Sequence, residues 1–176
     1  MSIIYLTIRA IKQITIPRYF MNERGYVTEF YRQLNPLVRD SNLFPPQTIL
    51  ETEVQKRRND HFGVTQRPDL LIHIPIETGL TDRPNENNFV VYAFKRNGNL
   101  ARTIIDFNNL DEMFINLNYE IGIYINIGRF PEIFLYNYEG RYKSRIHEFS
   151  VGLDTDREVQ ICHSFFIDNS PEFEII

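Results

Sequence analysis

The sequence predicts an α/β fold, a central mixed sheet flanked by helices. Three observations carry that reading. Residues 89–95, FVVYAFK, form an apolar run of strand length between polar, turn-rich stretches. Residues 22–38 and 106–118 instead space their apolar side chains three and four apart, the period of an amphipathic helix. Residues 120–128, EIGIYINIG, are almost wholly apolar, as a strand covered on both faces must be. Three strands, a crossover helix and a buried strand, in that order, suggest a mixed sheet with helices on its faces.

Each element has its own warrant along the chain. Residues 2–16 are rich in Ile and Thr and can alternate, which favours a strand over a short helix, and Pro17 ends the segment. In 22–38, Tyr26, Phe30, Leu34 and Leu37 share one stripe, with Asn22 as N-cap. Residues 48–56, TILETEVQK, alternate and read as a strand, and a polar turn leads to a second strand at 69–74. A long polar loop, 76–88, precedes the third strand, which RNGN stops. Helix 106–118 carries Leu110, Met113, Phe114 and Leu117 on one side, with Asp106 as its expected N-cap. Residues 132–149 read as a hairpin turning at Glu139-Gly140, residues 158–167 as a last strand, and the tail as an edge or a loose end.

Bulk properties narrow the function classes. The 176 residues suffice for one domain, and no repeat, low-complexity tract or linker divides them. A net charge of −4 removes any global basic field and counts against a polyanion partner, although local patches can still bind phosphate. The single Cys162 excludes a disulfide framework and a four-cysteine metal site, and fits a reducing compartment. Arg9 and Lys12 interrupt the apolar N-terminus and no basic region precedes it. It is therefore read as neither signal peptide nor transmembrane helix, with no membrane partner and a cytoplasmic location expected.

The chemistry lies in one hairpin. Positions 93 and 95 of the third strand point to the same side, because side chains alternate with a period of two. Asp69 opens the preceding strand, so an antiparallel pairing would bring Asp69 and Lys95 to one end of the sheet. A carboxylate and an ammonium there suit a divalent cation and a phosphate. Mg²⁺ takes oxygen ligands and keeps waters, and a nearby ammonium can orient an attacking water or stabilise charge on phosphoryl oxygens. His61, His73, His147 and His163 show no zinc-ligand spacing. There is no Walker-type glycine loop, no nucleophile elbow and no HExxH.

Pro68-Asp69 opening one strand and Ala93-Phe94-Lys95 closing the next resemble the paired motif of the PD-(D/E)XK nuclease superfamily, the restriction-endonuclease-like fold. The flanking order extends the resemblance over about residues 22–128: a helix, a strand with Glu51 and Glu53, the motif hairpin, a crossover helix and a buried strand. The whole chain, 1–176, would then be a single nuclease-like domain with an N-terminal strand and a C-terminal β-hairpin extension. The resemblance implies an enzyme that hydrolyses phosphodiester bonds in DNA or RNA with Mg²⁺ or Mn²⁺. It also suggests a place in a larger protein assembly, such as an effector in restriction or antiviral defence. Carried over by position, Asp69 is a metal ligand, Lys95 positions the nucleophilic water, and the backbone carbonyl of Phe94 is a further ligand. Glu29 on the first helix, or Glu53, is the auxiliary acid. Lys56, Arg57, Arg58 and Arg96 lie where nucleic-acid phosphates would pass, and Arg102, Arg141, Lys143 and Arg145 could add to them. Phe134, Tyr136, Tyr138 and Tyr142 could stack on bases, with ordinary strand packing as the plainer reading.

Ala93 is the departure from the pattern, because the family's second acid falls there and alanine has no ligand atom. Two readings are open. The acid may have been replaced by engineering, which would leave this chain inactive or impaired. Alternatively the chain is a degenerate nuclease that binds nucleic acid or a partner protein, its acid lost or supplied from Glu53 or Glu29. The first is the expectation, since Asp69 and Lys95 are intact where a drifting site would lose them too.

Overall fold

The computed structural model describes residues 1–52, 68–75 and 87–176. Glu53, Lys56, Arg57, Arg58, His61 and loop residues 76–86 lie outside the described residues. The helices are α1 (Ile3–Lys12), α2 (Pro17–Phe20), α3 (Glu23–Asp40) and α4 (Leu100–Leu117). The strands are β1 (Ile49–Thr52), β2 (Leu70–His73), β3 (Asn88–Arg96), β4 (Ile121–Ile127), β5 (Ile146–Leu153), β6 (Val159–Ile167) and β7 (Ser170–Ile175). They form one mixed sheet in the order β1-β2-β3-β4-β5-β6-β7. β1, β2 and β3 pair antiparallel, β3, β4 and β5 parallel, and β5, β6 and β7 antiparallel. The α/β class with helices flanking a mixed sheet is as expected. No helix among the described residues is long and apolar enough to cross a membrane.

Two cores cover the two faces of the sheet. On one, Ile72, Tyr92, Phe94, Ile125 and Phe149 pack with Leu6 and Ile11 of α1 and Tyr26, Phe30 and Leu34 of α3. On the other, Leu71, Val91 and Tyr124 pack with Phe107, Leu110, Phe114 and Leu117 of α4. β3 and β4 are thus buried from both sides, which explains their nearly unbroken apolar sequence. α4 lies directly on β4 at Gly122, where an added Cβ would stand 2.8 Å from the Phe114 ring and 3.2 Å from Leu110.

Three elements differ from the sequence reading. Residues 3–12 form a helix, not a strand: Ile3, Leu6, Thr7, Ala10 and Ile11 bury one stripe. Ser2 caps it, its Oγ accepting from the Tyr5 N–H at 3.3 Å, and Arg9 and Lys12 sit in the last turn, where cations are favourable. Short Ile/Thr-rich runs fit either period, and here the sheet face that needed covering decided the matter. α4 starts six residues earlier than 106, with Asn99 as its cap accepting from the Arg102 N–H at 3.1 Å, so Asp106 is a helix-interior residue. Residues 132–149 do not form a hairpin: two 3-10 turns, Leu135–Asn137 and Lys143–Arg145, precede β5. The buried carboxylate of Glu148 accepts from the Phe134 and Leu135 N–H groups at 2.8 and 2.7 Å, so a side chain ties that segment down where a strand ladder was expected. Leu135 and Tyr138 are core there, and the tail is an edge strand, β7.

β7 is joined to the sheet interior by a chain of side-chain bonds. His147 Nδ1 lies 3.0 Å from His163 Nε2, and His163 Nδ1 lies 3.0 Å from Glu174 Oε1 on β7. The His163 ring stacks on Phe149 and Phe165 at centroid distances of 4.4 and 4.7 Å. Burial, with the neighbouring His163, pushes the His147 pKa down to about 4.

Two outcomes are expected. An unfolded histidine titrates near about 6.5, so protonating His147 favours the unfolded chain. The stability its neutral ring contributes is complete above that pH and declines as pH falls toward 4. Its NMR titration midpoint should lie near 4, and a midpoint of about 6 or above would contradict the buried placement. Gly122→Ala should overpack the α4–β4 contact by about 1–3 kcal/mol; an unchanged urea midpoint would show that the contact can relax freely.

Candidate active site

The site follows from the alternation of β3. Tyr92 and Phe94 turn toward α3, so Ala93 and Lys95 turn toward α4. Leu70 pairs with Tyr92, which sets Asp69, one residue earlier, beside Ala93 and near the strand's carboxyl end. Asp69 Oδ2 accepts from the Phe94 N–H at 2.8 Å. The expected convergence of Asp69 and Lys95 at one end of the sheet is therefore observed. The side chain opposite them comes from α4: Asp106 Oδ2 stands 3.8 Å from Lys95 Nζ. Asp69, Ala93, Lys95, Asp106, Asn109 and Met113 line a hollow of about 130 Å³. A second hollow, of about 350 Å³, meets Asp69 from the α3 side, lined by Glu23, Arg24, Val27, Thr28 and Thr52.

Three carboxylates influence one another here. Burial pushes the Asp69 pKa up to about 6, opposed by the Phe94 N–H and the Lys95 charge and increased by the charges of Glu23 and Asp106. Asp106 is raised by its own burial and by Glu23, with Lys95 opposing. Asp106 Oδ2 is buried and has no hydrogen-bond partner. Glu23, the first residue of α3, accepts from the Arg96 N–H at 2.7 Å, which ties that helix start to the end of β3. An excess of carboxylate over ammonium in a half-buried hollow attracts a cation, and the donors are all oxygen. Among the described residues, no group of three His, Cys, Asp or Glu side chains is close enough to hold a metal ion unaided.

The other expected site residues fall in different places. Glu29 is committed elsewhere: its carboxylate accepts from Arg32 at 2.6 and 2.9 Å and from Gln33 at 2.6 Å. Glu23, two turns closer to the start of α3, is the helix acid that faces Asp69. Phe94 gives its N–H to Asp69 and its ring to the opposite core. The Arg96 side chain turns away from the hollow, its Nε–H donating to the Phe20 carbonyl at 3.2 Å. Glu53, Lys56, Arg57 and Arg58 lie outside the described residues. The sequence reading did not assign Asp106 or Glu23 to the site. Asp106 reaches the hollow from the helix interior because the Asn99 cap starts α4 six residues earlier, and Glu23 follows the cap Asn22, where an acid reads first as a partner of the helix dipole.

No family model, no curated protein and no solved structure matches this chain. The geometry of the site is what speaks to function.

A raised carboxyl pKa has a stability consequence that is open to measurement. The folded chain holds the Asp69 proton more tightly than the unfolded chain, so stability falls as pH rises above the ordinary aspartate pKa of about 3.9, and the loss is complete above about 6. Asp69→Asn, which keeps an acceptor for the Phe94 N–H, should stabilise the metal-free protein at pH 7.5 by about 1–2 kcal/mol. The gain should vanish below the ordinary aspartate pKa of about 3.9. A lower melting temperature for the variant at pH 7.5 would contradict the arrangement.

Proposed function

We propose that this protein is a metal-dependent nuclease of the PD-(D/E)XK kind, hydrolysing phosphodiester bonds in DNA or RNA. The observation that carries the reading is Asp106 Oδ2, buried and without a hydrogen-bond partner, facing Lys95 across the space beside Ala93. It offers the second acid that position 93 lacks, from the crossover helix instead of the strand. On this reading Ala93 is part of a working site, because a small residue there leaves room for Asp106. The order helix, three antiparallel strands, crossover helix and parallel strand also agrees with what the motif resemblance implies.

The donor set fits a hard divalent ion. Asp69 and Asp106 would hold Mg²⁺ or Mn²⁺, with waters and substrate oxygens completing the shell and Glu23 acting through the second hollow. The ion would supply Lewis acidity at the phosphoryl group and a more acidic bound water. Asp69 is oriented for this by the Phe94 N–H, which fixes one of its oxygens. Lys95 cannot ligate a cation; its ammonium orients the attacking water and stabilises charge developing on the phosphoryl oxygens. A cytoplasmic setting is consistent with the lone buried Cys162. Service in a defence assembly rests on the resemblance alone.

One observation favours the competing reading, a module that binds nucleic acid or a partner protein without cutting: no three ligands converge among the described residues. One experiment separates the two. The chain is incubated with single- and double-stranded DNA and RNA in Mg²⁺ or Mn²⁺, and Mn²⁺ binding is followed by calorimetry. Cleavage is expected, with Asp69→Ala and Asp106→Asn each reducing it by about 100-fold or more. Lys95→Met should abolish cleavage while leaving Mn²⁺ affinity within a few-fold. Cleavage by Ala93→Glu but not by the parent would identify a replaced acid. Cleavage by neither, or cleavage surviving Asp69→Ala, would sink the nuclease assignment.

A further inference from the structure

A cleft of about 630 Å³ opens at the carboxyl ends of β3, β4 and β5, on the far side of the strand end from Asp106. These three strands are mutually parallel, so their carboxyl ends lie together, and open α/β sheets bind ligands at that edge. Phe20 and Met21 at the end of α2, Phe130 after β4 and Leu153 of β5 supply apolar surface. Met21 borders the cleft and is 68% exposed. Gly128 keeps the floor open: its φ of +85° suits glycine, and a Cβ there would stand 3.0 Å from Asn97 Oδ1. The volume falls within the about 300–1,000 Å³ typical of small-ligand sites.

Arg96 supplies the positive charge of the cleft, and the Asp154 carboxylate that also lines it accepts from the Asp156 and Glu158 N–H groups and from Gln160. The Arg96 Nε–H is held by the Phe20 carbonyl, and its terminal amino groups have no partner among the described residues. Lys95 and Arg96 are successive residues at the end of one strand, so their side chains leave on opposite faces. A phosphodiester chain bound at Lys95 therefore meets Arg96 when it passes around the strand end. We propose that the cleft is a nucleotide subsite, with the phosphate on Arg96 and the base against Phe130, Met21 and Leu153. The subsite rests on the nuclease reading for its role. It would hold a nucleotide adjoining the one whose phosphate is attacked.

The test uses the full chain with EDTA, so that cleavage does not intervene. Nucleoside 5′-monophosphates are titrated while the amide resonances of Asn97, Gly128 and Gly152 are followed, with ribose 5-phosphate and inorganic phosphate as comparisons. Saturable shifts are expected, at least ten-fold tighter for the monophosphates than for either comparison. Met21→Glu should weaken them ten-fold or more without altering the rest of the spectrum, since that side chain is exposed. Arg96→Gln should remove the advantage of a monophosphate over its nucleoside. Equal binding of inorganic phosphate, insensitivity to Met21→Glu, or no shift at those amides would overturn the subsite. Nucleotide binding in the cleft of a chain that cuts nothing would leave the subsite standing and refute the nuclease reading. Cleavage with a silent cleft would do the reverse.

Discussion

Burial of β3 on both faces is the constraint on which the rest depends. Tyr92 and Phe94 sit in an aromatic cluster with Tyr26 and Phe30, ring centroids 5.3–6.4 Å apart, while Val91 packs under α4 on the other side. A slip of one residue would drive Tyr92 and Phe94 into the core under α4 and Val91 into the aromatic cluster, so packing on both faces holds the register. That rigidity reaches the strand end. Ala93 and Lys95 face α4 because Tyr92 and Phe94 must face α3, and Asp69 is set by the same register through its bond to the Phe94 N–H. The site geometry is inherited from the core.

Within that frame the charged groups work against the fold. Asp69 and Asp106 are carboxylates in surroundings that favour their protonated forms, because burial outweighs the opposing charge of Lys95. Buried, incompletely partnered carboxylates tend to be retained where they serve a function, since a neutral side chain would be more stable. Glu148 is a useful contrast. Its pKa is also raised by burial, to about 7, yet one of its oxygens holds two backbone N–H groups and anchors the segment before β5. Its Oε2 is architectural, while its Oε1, like Asp106 Oδ2, is buried without a hydrogen-bond partner.

Much of the fold was legible because it rests on periodicity. The stripe Tyr26, Phe30, Leu34 gave α3, the apolar run at 120–128 gave a doubly buried β4, and alternation placed Asp69 and Lys95 together. What was not legible depended on tertiary partners. The Ile- and Thr-rich run of α1 fits two periods, and only the sheet face beneath Leu6, Ala10 and Ile11 resolves it. Residues 132–145 alternate like a hairpin strand, but a side chain twelve or more positions away, Glu148, takes up their N–H groups. At the hollow, the neighbourhood of residues 69, 93 and 95 was legible because local spacing carries it. Asp106 was not, because its approach to Lys95 depends on where α4 starts and how it crosses the sheet. Glu29 is held by Arg32 and Gln33, while Glu23, six residues earlier on α3, faces Asp69.

The order of strands across the sheet equals their order along the chain. Each strand therefore pairs with the one synthesised just before it, and no described strand must wait for a distant partner. The sheet can lengthen as the chain emerges, β1 through β3 by antiparallel pairing and β4 once α4 has closed the crossover. Loop-closure entropy is then met in small instalments, which favours rapid acquisition of structure for so β-rich a chain. The exception is α1, first to be made and yet packed across strands made much later, with Thr7 bonded to Tyr92 at 3.0 Å. Through that bond the docking of this helix closes a sequence separation of 85 residues, a larger loop-closure cost than any of the strand pairings meets.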